Sequence, residues 1–262
     1  MSTHREFAEK GREMHVRKHR VVMAAVVAAM ALAIGAGAAQ AVFPDFTGCR
    51  EGFCIDIQQR SGNFNIKGFN VPLHETLEIR GKLIPNGTEI PDFAPATGTN
   101  GLIARTERVP GGLLGIEWIP GNTVLAITEL AGPSSAIKIE PNTGRVRIPI
   151  KVRLVNLLLG MDCHIGNNSH PVNLDLITGT TSPPPPNRPI SGRRGEPAEI
   201  PGGFALIGNT NVENSFAAPG ATECGLGLGL INSLVNLRLG LPSAAGNNSM
   251  VLNSDVALAF VP

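Results

Sequence analysis

The sequence predicts a mainly β fold, an antiparallel β-sandwich or partly closed barrel, and three observations carry that expectation. Glycine and proline together supply 52 of the 262 residues, while charged residues make up only 16%; helix interiors disfavour both, whereas turns need them. Six stretches alternate apolar and polar residues at the period of a half-buried strand: 54–58, 63–69, 75–84, 123–130, 136–140 and 145–154. Between them stand the turn sequences PNGT, VPGG, IPGN, AGPSS and PNTG, and short strands so punctuated suit a sandwich or a barrel.

The first element is a leader. Arg17, Lys18, His19 and Arg20 precede an uncharged run from Val21 to Ala39, and Ala39-Gln40-Ala41 offers the small residues of a signal-peptidase site, so residues 1–41 read as a secretory signal. An uncleaved anchor is the rival reading, because the run approaches the ~20 apolar residues that span a bilayer. Its alanines and glycines make it weakly hydrophobic, which favours cleavage. No cysteine stands at the cleavage point, so a lipoprotein is not indicated. Residues 42–262 then read as a single disulfide-stapled β-rich unit, secreted or associated with the cell envelope. That unit carries 16 basic and 18 acidic residues, a balance without the electrostatic footprint of a nucleic-acid binder.

Cys49, Cys54, Cys163 and Cys224 all lie beyond the leader, and in an oxidising compartment disulfides are their expected fate. Three pairings are possible. Cys49 and Cys54 frame the short CREGFC turn, which leaves Cys163 and Cys224 as the natural long-range pair. In the chain-entropy picture that long loop is worth roughly 4 kcal/mol, against roughly 2 for the short one. Neither a CxxC nor a paired CxxC spacing is present, so metal and redox roles for these cysteines are not indicated.

From Ser182 to Gly203, SPPPPNRPISGRRGEPAEIPGG is too proline-rich for a central strand and too poor in apolar residues to fill a core. It is expected as an extended, partly polyproline II surface loop, acting as a stiff spacer. Downstream, INSLVNLRLGLPS has apolar residues three and four apart, a potential cap at Asn232 or Ser233, and Gly240-Leu241-Pro242 as a stop. This predicts a short helix near 231–240.

The helix belongs to an echo. LVNLLLGMDCHIGNNSHPVNLD (154–175) and LVNLRLGLPSAAGNNSMVLNSD (234–255) agree at 12 of 22 positions, including GNNS at Gly166 to Ser169 and Gly246 to Ser249. Two copies are too few for a solenoid, and the first is expected to continue as a strand where the second is helical. The shared feature is then a glycine-asparagine turn entering a strand, explained by left-handed backbone geometry. The echo reads as two structural corners rather than a site made twice.

IKGFNVPL, VPGGLLG, TELAGP, KVRLVNLLLGMDCHIGNNSHPVNLDLITGTTSPPPPNRPISG, VENSFAAPGATECG and VNLRLGLPSAAGNNS, spread from about Ile66 onwards, resemble an uncharacterised family of exported proteins from high-GC Gram-positive bacteria. The resemblance implies a secreted or envelope location and supplies no activity, fold or site. The family pattern has tyrosine where this chain has His164, which weakens a catalytic role for that histidine.

Catalytic constellations are sparse. Beyond the leader the histidines are His74, His164 and His170. Asp162, His164, His170 and Asp175 are candidate zinc or calcium ligands, but two histidines six apart in a glycine-rich turn match no ligand motif. Ser134 and Ser135 lack the GxSxG elbow, and Ser243 falls in the turn after the helix. Nothing singles out a carboxylate pair. CGLGLGLIN (224–232) follows FAAPGATEC, which is no buried strand, so no nucleotide site is read there. No cofactor, metal or catalytic residue is therefore assigned. One tryptophan, Trp118, and no tyrosine disfavour a sugar-stacking platform and the aromatic girdles of an outer-membrane barrel. The sequons at Asn86, Asn167 and Asn247 matter only in a glycosylating host.

The leading expectation is a non-catalytic β scaffold, structural or adhesive, with a cell-wall or lipid component as its possible partner. The alternative is a carrier holding an apolar ligand or lipid in a β-lined pocket, for which VPGGLLG and CGLGLGLI are candidate linings. A hydrolase without a recognisable motif comes third. Cleavage after Ala41 makes Val42 the first residue of the exported protein, and amino-terminal sequencing of secreted and envelope fractions should find it there. An intact chain held in the membrane would establish the anchor instead.

Overall fold

The computed structural model describes residues 43–116, 118–225 and 229–262. The predicted leader, and residues 226–228 of the glycine-rich stretch, lie outside them. The architecture is mainly β, as the sequence predicts: two antiparallel sheets pack face to face as a sandwich, and neither closes into a barrel. The larger sheet runs in the order β12 (Glu196–Ile200), β13 (Gly203–Glu213), β15 (Asn248–Val261), β1 (Gly52–Ile66), β3 (Leu77–Ile84) and β4 (Asp92–Pro95). Beside β1 lies β2 (Phe69–Leu73), and beside β3 lies β5 (Leu102–Ala104). The second sheet runs β14 (Ala221–Thr222), β10 (His164–Ile165), β9 (Arg145–Val155), β7 (Val124–Leu130) and β6 (Glu107–Val109). On β9 also pair β11 (Val172–Leu176) and β8 (Lys138–Glu140).

The β9 strand shows how sequence becomes layer. Val146, Ile148, Ile150, Val152 and Leu154 are buried against the other sheet. The alternate residues face out and meet acids on neighbouring elements: Arg145 pairs with Asp175, Arg147 with Glu140 at 2.6 Å, and Arg153 with Glu129 at 2.6 Å. A period-two strand buries one face and solvates the other. These half-exposed pairs contribute little each, and chiefly keep the outer face soluble.

Two expected strands prove to be one. The 54–58 and 63–69 stretches form the single 15-residue β1, because β15 offers backbone partners along its whole length. An irregularity between Gln59 and Ser61 absorbs the break in alternation, and the chain turns only at Lys67 and Gly68, both at positive φ. Both faces of β1 are covered. Ile55 and Ile57 face the core, while Cys54, Asp56 and Gln58 face away from it and are buried nonetheless. The reason is the segment 43–50, which crosses them: Cys49 is bonded to Cys54, the Asp45 amide donates to Asp56 Oδ2 at 2.7 Å, and Arg80 pairs with Asp45. Burial pushes the Asp56 carboxyl up to about 7, although the Asp45 amide opposes the rise.

The second disulfide joins Cys163 to Cys224, both fully buried. The proline-rich segment departs from its expected form. Only its first part is an excursion; Arg193 bridges to Thr210, and 196–200 form the edge strand β12 on β13. An edge position tolerates Pro197, since its missing donor breaks no central ladder. The loop is tied down elsewhere as well, with Asn187 Nδ2 donating to the carbonyls of Asn214 and Asn248 at 2.8 and 2.7 Å.

The helix α1 spans Gly229–Leu239, starting two residues before the sequence places it. Asn232 does not cap it; its Oδ1 accepts from the Cys224 amide at 2.8 Å, and Ser233 Oγ donates to the Gly229 carbonyl. In the first copy of the echo, β9 stops at Val155 and a tight turn follows, bridged between Asn156 and Gly160, where the sequence suggests a continuing strand. Both GNNS turns place their glycine at positive φ, Gly166 at 73° and Gly246 at 85°. They lead into strands of different sheets, β11 and β15.

Two outcomes follow from this framework. Replacing Cys163 and Cys224 together with serine should lower unfolding free energy by about 2–5 kcal/mol in urea titrations, with a smaller loss for the Cys49 and Cys54 pair. Asp56, whose folded carboxyl titrates near 7 and whose unfolded one titrates near 4, holds a proton in the native state between those values. Stability should therefore fall as pH rises from about 4 to about 7, by at most about 1.4 kcal/mol per pH unit. Asp56→Asn should flatten that slope in thermal melts.

Candidate functional site

The polar candidates do not converge. Asp175 on β11 is engaged by Arg145, and His170 lies exposed in the first GNNS corner, where its amide donates to Asn167 Oδ1. His164 sits on β10 with Nδ1 2.7 Å from the Asp162 carbonyl oxygen and Nε2 3.3 Å from Glu129 Oε2. No group of three or more metal-ligating side chains forms among the described residues. Ser134 and Ser135 lie on a short 3-10 turn, and the buried Ser243 hydroxyl donates to Asn248 Oδ1 at 2.6 Å. Glu129, which no motif marks, gathers Arg153, Lys151 and His164 around it. Burial alone would raise its carboxyl, but the hydrogen bonds and charges of Arg153 and His164 prevail and hold it below the ordinary value. It is a surface ion cluster on the outer face of β7.

Apolar groups do converge, at one end of the sandwich. Three segments meet there: the loop 110–122 between β6 and β7, the turn 156–160 after β9, and α1. They are fastened by polar side chains with specific tasks. Asn122 receives the Leu114 amide at 2.7 Å and donates to the Gly111 carbonyl at 2.9 Å. Asn156 Nδ2 donates to the carbonyls of Gly121 and Thr123, both at 2.8 Å. Arg238 of α1 reaches the Pro110 carbonyl and lays its guanidinium 4.7 Å from the centre of the Phe69 ring. The Gly225 amide donates to the Leu159 carbonyl at 2.8 Å. Leu113, Leu159, Val235 and Leu239 point inward and are buried together.

The outward side chains of the same segments are equally apolar. Leu230, Leu234 and Leu237 occupy one stripe of α1, and that stripe faces solvent, opposite Val235 and Leu239. Leu157, Leu158 and Met161 stand out from the turn and the residues after it; Leu114, Ile116 and Trp118 stand out from the loop. Exposure reaches 94% for Leu157, 83% for Leu237 and 82% for Trp118, so these are protrusions rather than parts of a flat face. Apolar residues exposed singly are ordinary, but nine on three segments fastened to one another are a concentration of the kind that marks an interaction surface. The echo acquires a different meaning here. Its equivalent leucines Leu157 and Leu237 are both fully outward, and Leu159 and Leu239 both inward, although one copy is a turn and the other a helix. The shared LVNLxLG thus contributes to one surface twice, which the reading of two mere corners missed.

Beneath this end the core is incompletely filled. Voids of about 60, 50 and 40 Å³ follow one another between the sheets along β9, from Leu154 to Val146. The first two share Leu77, Thr128, Ile150 and Met250 as walls, and the second and third share Ile57, Val146 and Asn211. At ~24 cal/mol per Å³, each costs on the order of 1 kcal/mol while empty. The largest reaches the edge where β2 faces β6, and its rim carries Arg105 and Glu107. Comparison with known protein families, with curated proteins and with solved structures returns no match. The functional reading rests on this geometry.

Proposed function

We propose that the protein is an exported, non-catalytic component of the cell envelope that seats the apolar end of its sandwich in a lipid surface. The observation that carries this reading is the solvent-facing leucine stripe of α1, with Leu157 and Trp118 exposed on the two segments fastened to it. A helix apolar on both faces is stable in water only if something covers the outer one. Protruding leucines, an isoleucine, a methionine and one tryptophan suit the boundary between headgroups and acyl chains, where tryptophan concentrates. The segments are nearly uncharged: 110–122, 156–162 and 223–240 hold only Glu117, Asp162, Glu223 and Arg238. No helix among the described residues is long and apolar enough to cross a membrane. Two disulfides mark an oxidising compartment. The leader, and the resemblance to exported proteins, support the same location.

Trp118 is the chain's single tryptophan and reports on its own contact. With phosphatidylcholine vesicles its emission should shift to the blue, brominated acyl chains should quench it, and the protein should float with the lipid at low and high salt alike. Changing Leu230, Leu234 and Leu237 together to glutamine should weaken partitioning by more than about tenfold, since each leucine forfeits roughly 1.5–3 kcal/mol of burial. Unchanged Trp118 emission in the presence of lipid would refute the reading. A concentration-dependent dimer abolished by the same substitutions, with no vesicle binding, would replace it with self-association.

A further inference from the structure

We infer that the inter-sheet voids are the binding site for a single-chain amphiphile with an anionic head, its tail lying along β9 and its head at Arg105. This site is separate from the lipid-docking end, lying in the interior of the sandwich with one charged residue at its rim. Protein interiors are normally packed to the density of organic crystals, with few gaps larger than a water molecule. Here three gaps fall in a file with shared walls, and the largest is walled almost wholly by aliphatic and phenyl groups from both sheets. An apolar gap of this kind does not hold water, which would need two to four polar partners. Met250 lines both of the first two voids, and its unbranched thioether moves at low cost. A linear alkyl chain is the shape that fits a file of narrow voids; a compact ring system is not.

The rim supplies the other half of the ligand. Arg105 lines the mouth of the largest void, is exposed, and makes no ion pair among the described residues. Its neighbour at the mouth, Glu107, is already engaged: its Oε2 accepts from the His74 amide at 2.9 Å, and its Oε1 lies 3.1 Å from His74 Nδ1 and accepts from the Arg108 amide. Glu78 acts on Arg105 only at a distance and is itself paired with Arg80 at 3.2 Å. A guanidinium with free donors at the mouth of an apolar slot is arranged for a carboxylate or phosphate, which it can hold by two parallel hydrogen bonds.

Calorimetry with hexadecanoate, hexadecanol and hexadecyl phosphate, each delivered below its solubility or micelle limit, tests tail and head separately. Hexadecanoate or hexadecyl phosphate should bind one to one, at least about tenfold more tightly than hexadecanol, the margin a charge-assisted contact supplies. The tighter of the two anions identifies the head. Arg105→Gln should erase that margin and leave hexadecanol binding unchanged. Ala126→Phe, which fills the largest void, should abolish binding of all three; Val71→Phe at the β2 edge serves the same purpose should the first variant fail to fold. If the wild-type protein binds none of the three, the site does not exist. Equal affinity for hexadecanol and the anions, or a margin that survives Arg105→Gln, overturns the role of Arg105. None of these results bears on vesicle docking, which the leucine substitutions read alone.

Discussion

The pairing of β1 with β15 is the constraint on which the remainder hangs. Partners run from Gly52 with Val261 to Ile66 with Asn248, so the first and last strands of the described unit lie side by side in the middle of the larger sheet. Strands β2 and β3 are laid on one side of this pair, and β13, with β12 beyond it, on the other. β2 and β3 can pair with β1 without β15, but the two halves of the sheet are joined only when β15 pairs with β1. Closing so long a loop costs chain entropy before any contact rewards it, and such a topology gains from staples that narrow the unfolded ensemble. The Cys49 to Cys54 bond fixes the strap that covers the outer face of β1. The Cys163 to Cys224 bond works on the other sheet, joining the end of the first echo turn to the approach to α1.

How far the sequence reveals this depends on whether a feature is written locally. Alternation in 145–154 and 123–130 specifies β9 and β7 almost to the residue, because each strand buries one face and must repeat every second position. The helix is legible from leucine spacing and its Gly240 stop, though its start is not: the expected cap, Asn232, is spent on the Cys224 amide. β1 is misread as two strands because an irregularity opposite β15 breaks the alternation, and only the partner strand carries the pairing across it. β12 is missed because proline argues against a strand in general but not against an edge.

The site is less legible for a related reason. Inward and outward leucines in LVNLxLG look identical in a sequence, and an apolar residue is assumed to be core until a structure shows which side it faces. The weak amphipathy of α1 is the one local signal: a helix with leucines on every side has either two partners or none. The echo offered a second clue, but its most conspicuous letters, GNNS, draw attention to the turns. The leucines on which the proposed lipid contact rests are the less conspicuous ones before them. Arg105 has no local signature at all, since its meaning comes from the void behind it and from the prior engagement of Glu107.

The exposed leucines and the internal voids are linked by a single energetic question, namely why one does not fill the other. Collapse of these segments onto the core would turn Leu157 or Leu237 away from water and close some of the unfilled space between the sheets. The structure resists this with polar fastenings placed where the backbone would have to give. Asn156 ties the turn to the carbonyls of Gly121 and Thr123, Arg238 ties α1 to Pro110, and the Cys163 to Cys224 bond holds the two segments at fixed separation. Swinging Leu157 inward would break the two solvent-exposed hydrogen bonds that Asn156 makes to these carbonyls, each worth about 1 kcal/mol. That is comparable to what burying one leucine returns. The apolar end is thus held open by hydrogen bonds against its own hydrophobicity. Rigidity alone gives such an arrangement no use, whereas the proposed lipid contact and the proposed alkyl-chain site would each draw on one of the two features.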